Sequence, residues 1–277
     1  IAYRSIFKKQ FRGNSHLFQL FSPEALYRRW IPEEYDIVVS FLEGTAARLV
    51  SGCVSPSTRK VCWIHTSLRS PQVFTAGFRN KEEAIRCYES FDRLVCVSES
   101  VRQDLPVAQE KAAVLYNPID ARAIRRLAAQ EPPFPLPKGN IKLCCIGRLT
   151  AVKGFDRLIP ILRRLKDNGF PVCCYLLGEG AERENLLRAA KDAGIADRLF
   201  LTGFLENPYA VLSRCDWFVC CSHREGFSSA AAEALICGVP VVTVDLPGMR
   251  EILGEDEPGG IICDNNDQAL YACLCDA

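Results

Sequence analysis

Short apolar runs recur along the chain, spaced so that a helix fits between most of them. They cover residues 36–41, 60–64, 93–97, 113–116, 141–146, 172–177, 199–201, 217–220 and 239–242. Most are continuous rather than alternating, the pattern of strands buried on both faces of a parallel sheet. Helical periodicity fills the intervals at 82–91, 121–129, 155–168, 181–193, 209–214 and 229–237. Parallel strands joined through helices make right-handed crossovers, so the pattern predicts an α/β, doubly wound architecture.

One segment breaks the rhythm. Residues 130–139 hold four prolines, Pro132, Pro133, Pro135 and Pro137, and cannot continue a helix or a central strand. The segment reads as an interdomain connection, with a long surface loop as the other option. The expected division is therefore an N-terminal domain over 1–129, the connection over 130–139, and a C-terminal domain over 140–277. The chain begins at Ile1 without methionine and ends inside a helical pattern, which reads as a fragment cut at both ends.

Composition narrows the function classes. The chain has 277 residues, 48% hydrophobic and 24% charged, as in a globular protein of one large or two medium domains. A net charge of +1 gives no electrostatic case for nucleic acid as the main partner. No apolar run approaches the roughly 20 residues that span a bilayer, and no signal-peptide layout opens the chain. Fifteen cysteines stand out, but they fall inside apolar runs such as Leu143-Cys144-Cys145-Ile146 and Val219-Cys220-Cys221. There they behave as small hydrophobes. With three histidines and no Cys-x-x-Cys pair, zinc has no obvious ligand set, and a reducing, cytoplasmic setting is expected.

Ligands of open parallel sheets bind beyond the carboxyl ends of the strands. Polar clusters fall there. Gly147, Arg148 and Lys153 bring a flexible backbone and two cations to one strand-to-helix turn, which suits a diphosphate and also suits a solvated loop. Glu225-Gly226-Phe227-Ser228-Ser229 lies between a strand and an Ala-rich helix, with Glu233 eight residues after Glu225. Such a helix N-terminus offers N–H donors to an anion, and two carboxylates beside it suit a ligand with hydroxyls. The plainer reading is that Ser228 or Ser229 caps the helix and Glu233 is surface. Gly178-x-Gly180 is a weak signal without the full dinucleotide fingerprint. His65 ends a strand and is either functional or a satisfied structural histidine. Asp120 is expected to cap the helix after it. Glu255-Asp256-Glu257 reads as a solvated acidic loop. No Asp-x-Asp pair is present to hold a divalent metal.

These residues resemble the retaining glycosyltransferases of the GT-B fold, specifically glycosyltransferase family 4. The carriers are the Glu-x7-Glu pair Glu225 and Glu233 within Glu225-Gly226-Phe227, and Gly147-Arg148-Leu149 followed by Lys153-Gly154. Asp36-Ile37-Val38-Val39-Ser40-Phe41-Leu42-Glu43-Gly44, Val97-Ser98-Glu99-Ser100 and Asn117-Pro118-Ile119-Asp120 are similar to segments of bacterial surface-polysaccharide members. The resemblance implies two Rossmann-like domains facing a cleft, the N-terminal one incomplete. It implies that Glu225 holds donor-sugar hydroxyls and Glu233 the ribose. Arg148 and Lys153 would neutralise the leaving diphosphate beside Gly147. Gly226, Phe227, Ser228 and Ser229 would offer backbone donors, Gly203-Phe204-Leu205 would lie against the base, and His65 would face the sugar.

The expected activity is transfer, with retention, of a hexose-type sugar from a nucleotide-diphosphate sugar to a glycan or lipid-linked acceptor. No metal and no cofactor are expected beyond the nucleotide-sugar co-substrate. Peripheral contact with the inner face of the plasma membrane would use Arg4, Lys8, Lys9 and Arg12 with Phe7 and Phe11; the same residues also suit a solvated surface. Two rivals stand beside this reading: a nucleotide-sugar epimerase or hydrolase of the same fold, and a non-catalytic nucleotide-sugar binding module.

Overall fold

The structure is a computed structural model that describes residues 18–137, 139–254, 256 and 258–277. The basic and aromatic residues considered for lipid contact (Arg4, Phe7, Lys8, Lys9, Phe11, Arg12) lie outside the described residues, as do Glu255 and Glu257. The chain forms two compact units, one ending at Tyr116 and one beginning at Asn117.

The first unit carries helix α1 (Pro23–Trp30), β1 (Ile37–Ser40), α2 (Thr45–Ser51), β2 (Arg59–Ile64), α3 (Pro71–Phe74), α4 (Lys81–Glu89), β3 (Arg93–Cys96), α5 (Glu99–Gln103) and β4 (Ala112–Val114). Its strands are all parallel in the order β1-β2-β3-β4. Ser40, Cys62, Ile64, Leu94 and Cys96 share the buried face of the pleat. Arg48 on α2 is fully buried, and its guanidinium donates to Glu83 Oε1 on α4 at 2.8 Å and to the Phe18 and Phe21 carbonyls at 2.7 Å. A buried cation requires such partners, because its desolvation is otherwise uncompensated.

The second unit contains α6 (Ala121–Ala128), β5 (Ile141–Ile146), α7 (Leu158–Asp167), β6 (Val172–Leu177), α8 (Arg183–Asp192), β7 (Leu199–Gly203), α9 (Tyr209–Leu212), β8 (Trp217–Cys220), α10 (Ser229–Ile236), β9 (Val241–Val244), α11 (Met249–Leu253), β10 (Gly260–Cys263) and α12 (Asp267–Asp276). The six parallel strands run β10-β9-β8-β5-β6-β7. The chain therefore travels one way from β5 to β7, returns to pair β8 beside β5, and travels the other way to β10. With right-handed crossovers this reversal sends the helices to opposite faces. In agreement, α7 touches α8 and α12, while α10 touches α6 and α11. Both faces being covered, β6 and β9 are buried at every position.

The predicted α/β parallel architecture is the one observed. Two details differ. β10 opens on Gly260 directly after Gly259, so its apolar stretch is only Ile261-Ile262-Cys263, and the sequence reading gave no strand there. The strand expected over 239–242 sits two residues later, because Val239 and Pro240 belong to the turn after α10. The division between units also falls before the proline segment. Asp120 caps α6 as expected, accepting from the Arg122 and Ala123 N–H groups at 3.0 Å. The exposed carbonyls at the end of α6 are then taken by second-unit side chains: Asn207 donates to Leu127 at 2.9 Å and Ser213 to Ala128 at 3.0 Å. Beyond it, Phe134 in the proline segment stacks on Tyr175 of β6, with ring centroids 6.2 Å apart.

All fifteen cysteines are free thiols, and twelve of them are buried, which makes them part of the core rather than surface ligands. Burial pushes the thiols of Cys144 and Cys145 well above their ordinary range, so both stay protonated. No helix among the described residues is long and apolar enough to cross a membrane.

Candidate functional site

The strand order reverses between β5 and β8, and in an open α/β sheet the loops that follow such neighbouring strands part to opposite faces, the usual place for a ligand. The loop after β5 carries Gly147, Arg148 and Lys153. The loop after β8 carries Ser222, Glu225, Gly226 and Phe227 and ends at the N-cap of α10. Residues far apart in sequence thus meet because their strands are neighbours.

The two loops are joined through their backbones. His223 N–H donates to the Val152 carbonyl at 2.9 Å, and Cys221 Sγ reaches the Lys153 carbonyl at 3.5 Å. Gly154 has a left-handed φ of +64°, and a Cβ there would lie 2.4 Å from the Cys221 carbonyl oxygen. Both facts require glycine. Gly154→Ala is expected to destabilise the chain by about 1–3 kcal/mol, as overpacking against fixed backbone does. Urea unfolding checks this; wild-type stability in the variant would contradict the close approach.

Across this joint Lys153 Nζ pairs with Glu225 Oε1 at 2.5 Å, and Ser222 Oγ donates to the same oxygen at 2.8 Å. The Glu225 side chain is mostly covered, 13% exposed, and the Lys153 side chain is 24% exposed. Arg148 is exposed on the same loop and makes no ion pair among the described residues. Gly147 lies beneath the Lys153 stem, where a Cβ would be 3.5 Å from Cε. Its neighbour across the β5–β6 pair is Gly178, at φ +145°, where a Cβ would fall 2.0 Å from the Gly147 carbonyl oxygen. Gly180 packs as closely on Leu149. The Gly178-x-Gly180 pair therefore serves loop-on-loop packing.

Ser228 caps α10: its side chain is buried and accepts from the Ala231 N–H at 3.3 Å. That leaves the Ser229 and Ala230 N–H groups at the helix start as donors for an anion. Ala231 and Ala234 are fully buried, so the helix seats closely on the sheet and fixes where those donors stand.

Glu233, on the second turn of α10, is half-buried rather than a surface residue. Burial raises its carboxyl above the ordinary range, and a hydrogen bond from Tyr209 of α9 partly offsets this. Burial and the adjacent Glu233 carboxylate push the Cys237 thiol up to about 11. A folded carboxyl raised above its unfolded value favours the protonated folded state. Its contribution to stability is full below the unfolded value and is lost as pH climbs through the folded one. Glu233→Gln is therefore expected to be more stable than wild type at neutral pH, with the difference closing in acid. Melting temperatures across pH measure it; a variant less stable at neutral pH would refute it.

The remaining residues are more dispersed. Leu205 packs on the core of the second unit, beside Phe204, which is 75% exposed at the end of β7. His65 follows β2 in the first unit, and its backbone N–H donates to Glu43 Oε2 at 2.9 Å. Sequence reasoning did not find Ser222, Tyr209 or Arg157. Tyr209 and Arg157 act through partners on other elements, which no local pattern flags, whereas Ser222 stands three residues before Glu225 and its hydroxyl contact needed the loop's folded geometry to be seen.

Residues 128–274 match the family model described as Glycosyl transferases group 1, and residues 3–123 match Glycosyltransferase Family 4. The N-acetylgalactosamine-N,N'-diacetylbacillosaminyl-diphospho-undecaprenol 4-alpha-N-acetylgalactosaminyltransferase of Campylobacter jejuni is 30% identical over 177 residues, 64% of this chain and 47% of that protein. The GDP-mannose-dependent alpha-(1-6)-phosphatidylinositol dimannoside mannosyltransferase of Mycobacterium tuberculosis is 29% identical over 209 residues, 73% of this chain and 52% of that protein. The chain spans about half the length of these curated relatives. Anabaena HepE, solved with UDP and glucose, has the same fold: the TM-score is 0.71 at 20% identity, over 92% of this chain and 70% of that one.

Proposed function

Because the chain belongs to the glycosyl transferases group 1 family, we propose that its second unit binds a nucleotide-diphosphate sugar and that the protein transfers the sugar to an acceptor hydroxyl. The observation that carries this is the Lys153–Glu225–Ser222 cluster at the strand-order reversal, beside the open start of α10. An ammonium and helix N–H donors suit a diphosphate, and a carboxylate fixed next to them suits sugar hydroxyls.

In this reading Lys153, Arg148 and the N–H groups of Gly226, Phe227, Ser228 and Ser229 receive the departing diphosphate, without a resident metal or cofactor. Glu225 orients the sugar, Glu233 holds the ribose, and Phe204 with Leu205 borders the base. The acceptor oxygen bonds to the anomeric carbon on the face from which the phosphate oxygen leaves, so configuration is retained. The proton of the acceptor hydroxyl departs with the nucleoside diphosphate. Stabilising that leaving charge is the largest demand, and preorganised donors meet it best. A hexose-type donor and a glycan or lipid-linked acceptor are in keeping with the relatives, one named for a diphospho-undecaprenol acceptor and one for GDP-mannose.

A thermal-shift screen against UDP-, GDP-, dTDP- and ADP-sugars tests donor binding, and product analysis with and without a glycan acceptor tests transfer. One donor class should raise the melting temperature, and transfer should require the acceptor. Sugar released or epimerised without an acceptor would replace this reading with a hydrolase or epimerase. Binding with no chemistry in either arm would leave a binding module.

A further inference from the structure

We propose that Arg157 is a positioning residue for the Lys153–Glu225 pair, and that it makes the seat of α12 part of the donor site. The inference rests on the donor-site reading above for its functional meaning, but the geometry is independent of any ligand. Arg157 belongs to a short 3₁₀ turn, Phe155–Arg157, between Lys153 and α7. Its side chain is only 5% exposed. Nη1 donates to the Cys221 carbonyl at 3.0 Å and to Asn265 Oδ1 at 2.8 Å, and Nε donates to Asp267 Oδ1 at 2.6 Å.

These partners belong to two separate parts of the site's support. Cys221 directly follows β8 and precedes Ser222, whose hydroxyl holds Glu225. The same Cys221 carries the sulfur that reaches the Lys153 carbonyl and the carbonyl oxygen on which Gly154 packs. Asn265 and Asp267 flank the N-cap of α12, the helix that follows the edge strand β10. A single guanidinium therefore joins the Lys153 loop, the Glu225 loop and the start of α12. An apolar side chain could fill the same volume, yet it would leave the Cys221 carbonyl without this donor and α12 without its tie. The planar fork with several fixed donors serves three acceptors at once, which a lysine does only in part.

The test reads the pair directly, through the acylation rate of the Lys153 amine under competitive labelling with acetic anhydride. Pairing with Glu225 keeps the wild-type rate low. Glu225→Gln should raise it about fivefold to tenfold, and Arg157→Met should raise it by a similar factor, the size of an ordinary coupling between sites. In a Glu225→Gln background Arg157→Met should add nothing, because the pair it positions is already gone. Arg157→Lys should restore part of the effect, and Asn265→Ala with Asp267→Asn should reproduce part of it while leaving Arg157 in place. Circular dichroism and melting are followed for each variant. A wild-type labelling rate in Arg157→Met, or an equal rise with and without Glu225, would overturn the proposal. If Arg157→Met does not fold, the same two outcomes are read from the Asn265/Asp267 variant. UDP and GDP are titrated into the wild-type chain separately: no affinity there would remove the donor-site reading, while the labelling would still decide the role of Arg157.

Discussion

Glu225→Ala is expected to lower sugar transfer at least about a thousandfold, the upper range for losing one preorganised polar contact in a transition state. The carboxylate makes two contacts that truncation deletes together, the ion pair with Lys153 and the hydrogen bond from Ser222. Without them Lys153 is free to swing toward water, and the hydroxyl contact proposed for the sugar is lost as well. Glu225→Gln separates these effects. The amide oxygen still accepts from Ser222 and keeps the side chain in place, so its loss should be smaller and should report the charge. Initial rates with a nucleotide sugar and acceptor measure both variants. Transfer at the wild-type rate in Glu225→Ala would end the assignment of this residue.

Replacing both cations of the neighbouring loop should act on the other half of the donor. Arg148→Ala with Lys153→Ala is expected to weaken nucleoside-diphosphate binding about a hundredfold or more, since charge-assisted hydrogen bonds to phosphate are the strong ones. Calorimetry with UDP and GDP measures this. The single variants are informative because the two residues start from different states. Arg148 is exposed and makes no ion pair among the described residues, whereas Lys153 is already held by Glu225. Lys153→Ala should therefore also disturb Glu225 and slow transfer beyond its effect on binding. Arg148→Ala should mainly raise the dissociation constant. The loss should also shrink as salt rises, since Arg148 is solvent-exposed and screened. Unchanged affinity in the double variant would show that the phosphate lies elsewhere.

The sequence alone carried the local parts of this site. Continuous apolar runs marked the strands, and β5, β6 and β8 fall where those runs stand. The Gly147 turn and the Ser228 cap were legible because turn and cap chemistry is written in adjacent residues. The Glu225–Glu233 spacing named a carboxylate pair around a helix start, and the helix is there. Burial of the cysteines followed from their place inside apolar runs.

Tertiary structure decided the rest, because strand order is not encoded in local periodicity. Only the return of β8 to the side of β5 brings Lys153 to Glu225, 72 residues apart, and gives Gly154 its contact with Cys221. The same return exposes Arg157 to acceptors up to 110 positions away. From its helix alone Glu233 could be read as a ligand carboxylate or as a surface residue; burial in the folded chain raises its proton affinity, and the hydrogen bond from Tyr209 of α9 offsets part of that rise. The proline segment reads as a boundary from composition, since prolines stop both helix and strand. Yet α6 before it is tied to the second unit, because the carbonyls at its end need donors and Asn207 and Ser213 supply them. Sequence thus determined which residues have the chemistry for a diphosphate and a sugar. Packing of distant strands determined which of them touch, since that depends on contacts between segments no local pattern relates.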